Sequence, residues 1–258
     1  MAPFSERLGR QQEDSDSIRR RDHLRVDLQI TSADLTAEAL NRLDLGISET
    51  QPDHLPDWNN LKVIHRNTLE PRSHFHIYKS QEDAVVGDVD KSRATLLSGA
   101  WGFHLSTSPF KGPHEFYKPD FNHGDWKLIE VPGMWQRQGF GKGPQYTNVN
   151  YPFPVDPPHV PYEDNECGRY IRSFKVPDHL KDGSQWRLRF EGVDAAFTVW
   201  VNGREVGYSQ GSRNPSEFDV SKFLDIDGEN ALCVEVYQRC DGSYIEDQVR
   251  KSTIVLQP

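Results

Sequence analysis

Two acidic groups stand out by density: Glu163-Asp164 with Glu166, and Glu246-Asp247. Paired carboxyl groups can cleave a glycosidic bond, provided they stand ~5–5.5 Å apart for retention or ~6.5–9.5 Å for inversion. On a strand, Glu246 and Asp247 would point to opposite faces and could not share a substrate. Glu163 to Glu166 lie in a proline-flanked loop and read as solvated. Neither group reads as a self-contained acid/base pair, so no catalytic residue is assigned. His74 and His76, in Ser-His-Phe-His, would share one face if extended, a spacing that suits a transition metal. No third ligand follows at a fixed spacing. They read as surface histidines, and no metal ligand is assigned.

Other chemistries have weaker support. There is no Gly-x-Ser-x-Gly elbow for a serine nucleophile. Gly139-Phe140-Gly141-Lys142-Gly143 is dense in glycine but lacks the Walker spacing and a following helix pattern, so it reads as a mobile loop. Tryptophan rings can pack on sugar faces. Trp101, Trp186 and Trp200 lie inside strand patterns and read as core, whereas Trp135 lies just beyond a strand and is the better loop contact. Cys167, Cys233 and Cys240 form no CxxC and no disulfide framework. With no Asn-x-Ser/Thr acceptor anywhere, they favour a reducing, cytoplasmic location.

The elements that must position these residues are strands. Runs rich in β-branched and aromatic residues recur over 96–105, 126–131, 168–176, 185–191, 195–201, 205–209 and 231–237. In Phe197-Thr198-Val199-Trp200-Val201 the odd positions are all apolar, and Asn202-Gly203 follows. An Asn-Gly pair between two such runs signals a hairpin with a type I′ turn. Long helices do not alternate with the runs, so the reading is all-β: an antiparallel sandwich or barrel. Positions 5–22 are almost wholly polar and have no periodicity, so residues 1–50 read as a largely disordered arm. Leu24, Val26, Leu28 and Ile30 alternate briefly within it. Thr31 and Asp34 fit a capping box for a short helix over 32–44.

Composition sets outer bounds. Across 258 residues, 30 basic and 39 acidic side chains leave a formal charge of −9, which disfavours a nucleic-acid partner. No stretch approaches the ~18 apolar residues of a membrane span. The first residues carry no apolar run of signal-peptide length, so Sec-type secretion is not expected.

Several motifs together resemble one family. Gln145-Tyr146-Thr147-Asn148-Val149-Asn150-Tyr151-Pro152 is similar to the Tyr-Thr-Asn-Val-x-Tyr-Pro segment of β-galactosidases of glycoside hydrolase family 2. The likeness continues through Pro71-Arg72, Leu97-Ser98-Gly99-Ala100-Trp101, Gly168-Arg169-Tyr170, Val201-Asn202-Gly203-Arg204-Glu205-Val206-Gly207-Tyr208, Glu217-Phe218-Asp219 and Asp241-Gly242-Ser243-Tyr244-Ile245-Glu246-Asp247-Gln248. It covers roughly residues 55–248.

The resemblance implies an antiparallel jelly-roll β-sandwich, the sugar-binding domain at the N-terminus of enzymes that cleave terminal β-galactosides such as lactose with retention. Their acid/base and nucleophilic glutamates lie on a downstream barrel, and full-length members are often homo-oligomers. It implies that Asn148 contacts galactose at the pocket rim. Read alone, an asparagine there closes a turn or bridges hydroxyls equally well.

For the full-length enzyme the resemblance implies sodium and magnesium. The sodium-binding aspartate of Glu-Asp-Gln-Asp is replaced here by Val249, so no metal ligand is carried over. Asp241 and Gln210 match residues near a peripheral magnesium site, although Asp241-Gly242 alone reads as a capped turn, and that plainer reading is preferred. The chain therefore divides into an arm over 1–50, the sandwich over 51–248, and a tail over 249–258 outside the family pattern. Val249-Arg250 can be encoded by a splice-donor sequence, which suggests translated intron. The expected function is the sugar-binding part of a β-galactosidase, inactive alone, with the missing downstream domains as its partner. The alternatives are a stand-alone carbohydrate-binding module and an inert truncation product. A face that docks on downstream domains is expected to be apolar and exposed.

Overall fold

A computed structural model describes residues 55–144, 153–245 and the backbone of 254–257. The expected short helix and alternating run of the N-terminal arm lie outside the described residues.

Eleven strands occur among the described residues: β1 (His65–Arg66), β2 (Thr95–Leu96), β3 (Gly99–Ser106), β4 (Lys127–Val131), β5 (Cys167–Lys175), β6 (Arg187–Phe190), β7 (Ala196–Val201), β8 (Arg204–Gln210), β9 (Ser216–Asp219), β10 (Glu229–Tyr237) and β11 (Ile254–Gln257). A seven-stranded sheet runs β1-β8-β7-β10-β5-β3-β4, and a four-stranded sheet runs β2-β11-β6-β9. Every pairing is antiparallel. The expected two-sheet antiparallel sandwich is what forms.

The β7–β8 hairpin shows why. Asn202 and Gly203 take φ of 51° and 78°, the left-handed pair that a type I′ turn needs, and Val201 pairs with Arg204 across it. Period-2 alternation then sends Phe197, Val199 and Val201 into the inter-sheet core. There Phe190 of β6 meets Phe197 at 4.7 Å and Phe218 of β9 at 6.0 Å, the latter edge to face. Removing one such ring, as in Phe197→Ala, costs about 3–5 kcal/mol.

All six residues of β7 are buried, so the large sheet is covered on both faces. The second face is closed by loops. Trp200 and Cys233 pack under Phe116, with Tyr117 and Trp126 beside them. Ala196, Cys167, Tyr208 and Tyr237 pack under Trp58, Phe153 and Val160. Arg169 on β5 fastens this outer layer: fully buried, it donates to Ser106 Oγ and to the carbonyls of Lys111 and Pro109, and pairs with Glu235 at 2.7 Å.

Three elements depart from the sequence reading. The single run over 96–105 divides: β2 joins the small sheet, β3 the large one, with Gly99 at φ 116° opening β3. A six-residue helix, α1 (Gln81–Val86), was not expected. Ser80 caps it by accepting from Asp83 N, and it buries no side chain. Finally, β11 pairs with both β6 and β2, so the chain beyond residue 248 enters the small sheet.

Candidate functional site

Asn148 and the run Glu246-Asp247-Gln248-Val249 lie outside the described residues. Their flanks are described, and they meet. Phe153 is buried in the outer layer and stands edge-on to Tyr244 at 5.5 Å. The Tyr244 hydroxyl accepts from Asp156 N at 3.1 Å and donates to the carbonyl of His159. The Arg239 guanidinium lies 4.5 Å over the Phe153 ring. The described residues nearest the two segments, Phe153 and Tyr244, therefore lie together. Val155 and Ile245, which flank the Phe153–Tyr244 contact in sequence, are 63% and 90% exposed.

A polar chain adjoins this contact. Tyr208 donates to Gln210 Oε1 at 2.7 Å, and Gln210 Nε2 donates to Asp241 Oδ1 at 3.0 Å. Asp241 opens the 3-10 turn Asp241–Tyr244 and is buried. Its Oδ2 has no hydrogen-bond partner among the described residues. Burial raises the Asp241 carboxyl above its ordinary value, and the bonds from Gln210 and the Gly242 N–H offset only part of that. A buried carboxylate oxygen without a donor is the donor chemistry a hard cation takes. Gln210 directs Nε2 rather than its oxygen at Asp241, so of the two only Asp241 offers an oxygen there. Asp241 also opens the turn read from the sequence.

Other candidates resolve differently. Glu166 is not solvated: it is buried, Oε2 accepting from Trp135 Nε1 at 3.2 Å and Oε1 from Lys142 N at 2.9 Å. Only Glu163 and Asp164 face water, paired with Lys111 and Lys142. Trp135 is no loop contact for a ligand. It sits in the 3-10 turn Trp135–Gln138, stacks at 6.2 Å on Phe103 and belongs to the inter-sheet core. Proximity in three dimensions, invisible in the spacing, makes the pair: an indole N–H needs an acceptor and a buried carboxylate needs donors. The glycine-dense segment is likewise tied down, with Phe140 packed edge-on against Phe103 at 4.8 Å. Trp101, Trp186 and Trp200 are core residues, as expected.

A cleft of about 410 Å³ is lined by Arg72, Phe75, Ile77, Arg93, Gln185 and Arg187. Its guanidiniums are engaged: Arg72 on Glu217, Arg93 on Asp182, Arg187 on Gln185. His74 and His76 are exposed, as expected, yet they touch: their Nε2 atoms lie 3.3 Å apart. No helix among the described residues is long and apolar enough to cross a membrane.

The fold defines an all-β domain of two antiparallel sheets in which Phe153 and Tyr244 meet beside the polar turn. The sequence pattern of the glycosyl hydrolases family 2 sugar binding domain matches residues 94–255, and the chain belongs to that family. The match runs past residue 248, in keeping with the place of β11 in the small sheet. A β-galactosidase of Halalkalibacterium halodurans is 41% identical over 182 residues, 69% of this chain and 18% of that protein. One from Priestia megaterium is 38% identical over 199 residues, 75% of this chain and 19% of that protein. The chain thus spans about a fifth of the length of these relatives. A β-glucuronidase structure from Bifidobacterium dentium aligns with 75% of this chain and 32% of its own, at a TM-score of 0.44 and 20% identity.

Proposed function

We propose that this chain supplies the rim of a galactose pocket in a longer, retaining β-galactosidase that acts on terminal β-galactosides such as lactose, and that it does not hydrolyse them alone. The observation that carries the reading is the Phe153–Tyr244 contact, which brings the flanks of the Asn148 segment and of the Glu246–Val249 segment together. In this reading Asn148 contacts the sugar, and downstream domains of the same polypeptide close the pocket. Identities of about 40% to β-galactosidases about four times as long support it. So does the exposure of Val155 and Ile245, apolar side chains suited to cover by a following domain.

Magnesium belongs to this proposal. Asp241 would hold it through the unpartnered Oδ2, and the ion would supply the positive charge that the buried carboxylate lacks. Sodium finds less support, because valine at 249 offers no oxygen from its side chain. A cytoplasmic setting accords with three free, buried thiols.

The test is a nitrophenyl β-galactoside assay on the purified chain, paired with calorimetric titration of galactose. The expected outcome is no turnover and weak binding that Asn148→Ala removes. Few contacts remain to offset the entropy of association when the rest of the pocket is absent. Turnover that survives purification overturns the accessory role. Tight galactose binding favours the stand-alone binding module instead.

A further inference from the structure

We propose that His74 and His76 form a two-imidazole site for a divalent transition ion, independent of the galactoside reading. Two ligands on a tetrahedral zinc ion at ~2.0–2.1 Å stand ~3.3–3.4 Å apart by simple geometry. The Nε2 atoms of His74 and His76 are 3.3 Å apart. Without an ion the same separation accommodates an N–H···N hydrogen bond whose direction the tautomers set. The rings meet edge to face, at 88°, with centroids 4.7 Å apart.

A carboxylate stands behind the pair. His74 Nδ1 faces Glu191 Oε1 at 3.5 Å. A proton kept on Nδ1 by the nearby negative charge leaves the Nε2 lone pair toward His76. Metal-binding histidines generally have such an outer carboxylate, which fixes ring and tautomer. Glu191 is itself placed by the sheet. Arg189 of β6 grips it through Nε at 2.6 Å and Nη2 at 3.1 Å, and Arg189 is anchored on Glu217 of β9.

The chemistry selects the ion. Imidazole nitrogens suit zinc, nickel and copper(II) rather than magnesium or calcium. Residues 73–77 are all exposed, so the ion enters from solvent and water completes its shell. Among the described residues no three His, Cys, Asp or Glu side chains converge as a metal cage. The site is therefore open and exchangeable, with micromolar rather than structural-zinc affinity.

The experiment is calorimetric titration of zinc chloride into the metal-free full chain at pH 7.5. One saturating zinc site per chain is expected. It is lost in the double variant His74→Ala, His76→Ala, and weakened about tenfold or more by Glu191→Gln. Both histidines are exposed, so the double variant keeps the fold, which its unchanged thermal midpoint without zinc verifies. A wild-type chain that takes up no zinc overturns the site. So does a double variant that binds zinc as tightly as wild type. Unchanged affinity in Glu191→Gln overturns the part assigned to the carboxylate.

Discussion

Arg189 and Glu217 stand directly opposite each other on β6 and β9 and meet at 2.9 Å with both side chains buried. Arg72 reaches the same carboxylate from outside the sheet at 2.8 Å. One buried anion thus serves Arg189 and Arg72, with Arg187 at 3.7 Å, and the segment carrying Arg72 is held to the sandwich by it. Replacing the carboxylate by an amide removes that shared charge, while Arg189 keeps Glu191. Glu217→Gln is expected to cost about 1–3 kcal/mol, read as a lower urea midpoint with an unchanged slope.

The same pair sets an acid limit. Burial alone would raise the Glu217 carboxyl, but the hydrogen bonds from Arg189 and Arg72 outweigh it and hold the group below its ordinary 4.5. A carboxyl whose folded value is depressed contributes stability above the unfolded value and loses it as pH falls through the folded one. The stability gap between wild type and Glu217→Gln should therefore be full near neutrality and narrow below about pH 4.5. Chemical denaturation at a series of pH values checks this. A gap that widens in acid contradicts it.

Gly141 sits at φ 68°, and a β-carbon there would run into both oxygens of Glu166. Gly139 has φ 85° and open space around it. Gly139→Ala should cost only the left-handed backbone penalty of about 1–2 kcal/mol. Gly141→Ala should cost clearly more, because Glu166 must give up its bonds to Trp135 and Lys142. Trp135→Phe removes one of those donors while keeping an aromatic ring, and should cost about 1–3 kcal/mol. Thermal unfolding of the three variants side by side ranks them.

Asp241 carries the opposite sign to Glu217. Its carboxyl is raised by burial, so its ionised form weakens the fold above the folded value, and protonation relieves the strain as pH falls. Magnesium would relieve it at neutral pH by the same logic. Adding magnesium chloride to metal-free protein should raise the thermal midpoint, following the linkage between ligand concentration and affinity. Asp241→Asn should remove that response. An equal magnesium effect in both proteins would place the ion elsewhere.

Much of the architecture was legible in residue patterns, because period-2 alternation and the Asn202-Gly203 turn act over short range. β1 and β2 are two residues long and β9 and β11 four, too short to leave a periodic trace. Their pairing is decided by partners distant in sequence, as when Glu217 seats β9 against Arg189. The site was less legible for a similar reason. A carboxylate in a proline-flanked loop reads as solvated until Trp135 and Gly141 fold over it. The contact of His74 with His76 does follow from their spacing, but the glutamate behind it lies more than a hundred residues away.

The placement of Cys167, Cys233 and Cys240 turns the molecule into its own reporter. All are free and buried, and burial pushes the Cys233 thiol up to about 12 and the Cys167 thiol well above its ordinary range. Cys233 lies beneath the Phe116 loops, whereas Cys167 and Cys240 lie beneath Trp58 and Phe153. An alkylating reagent is silent toward the closed chain, so each adduct marks an opening event. Peptide mapping of the labels then shows which patch of the loop covering lifts first.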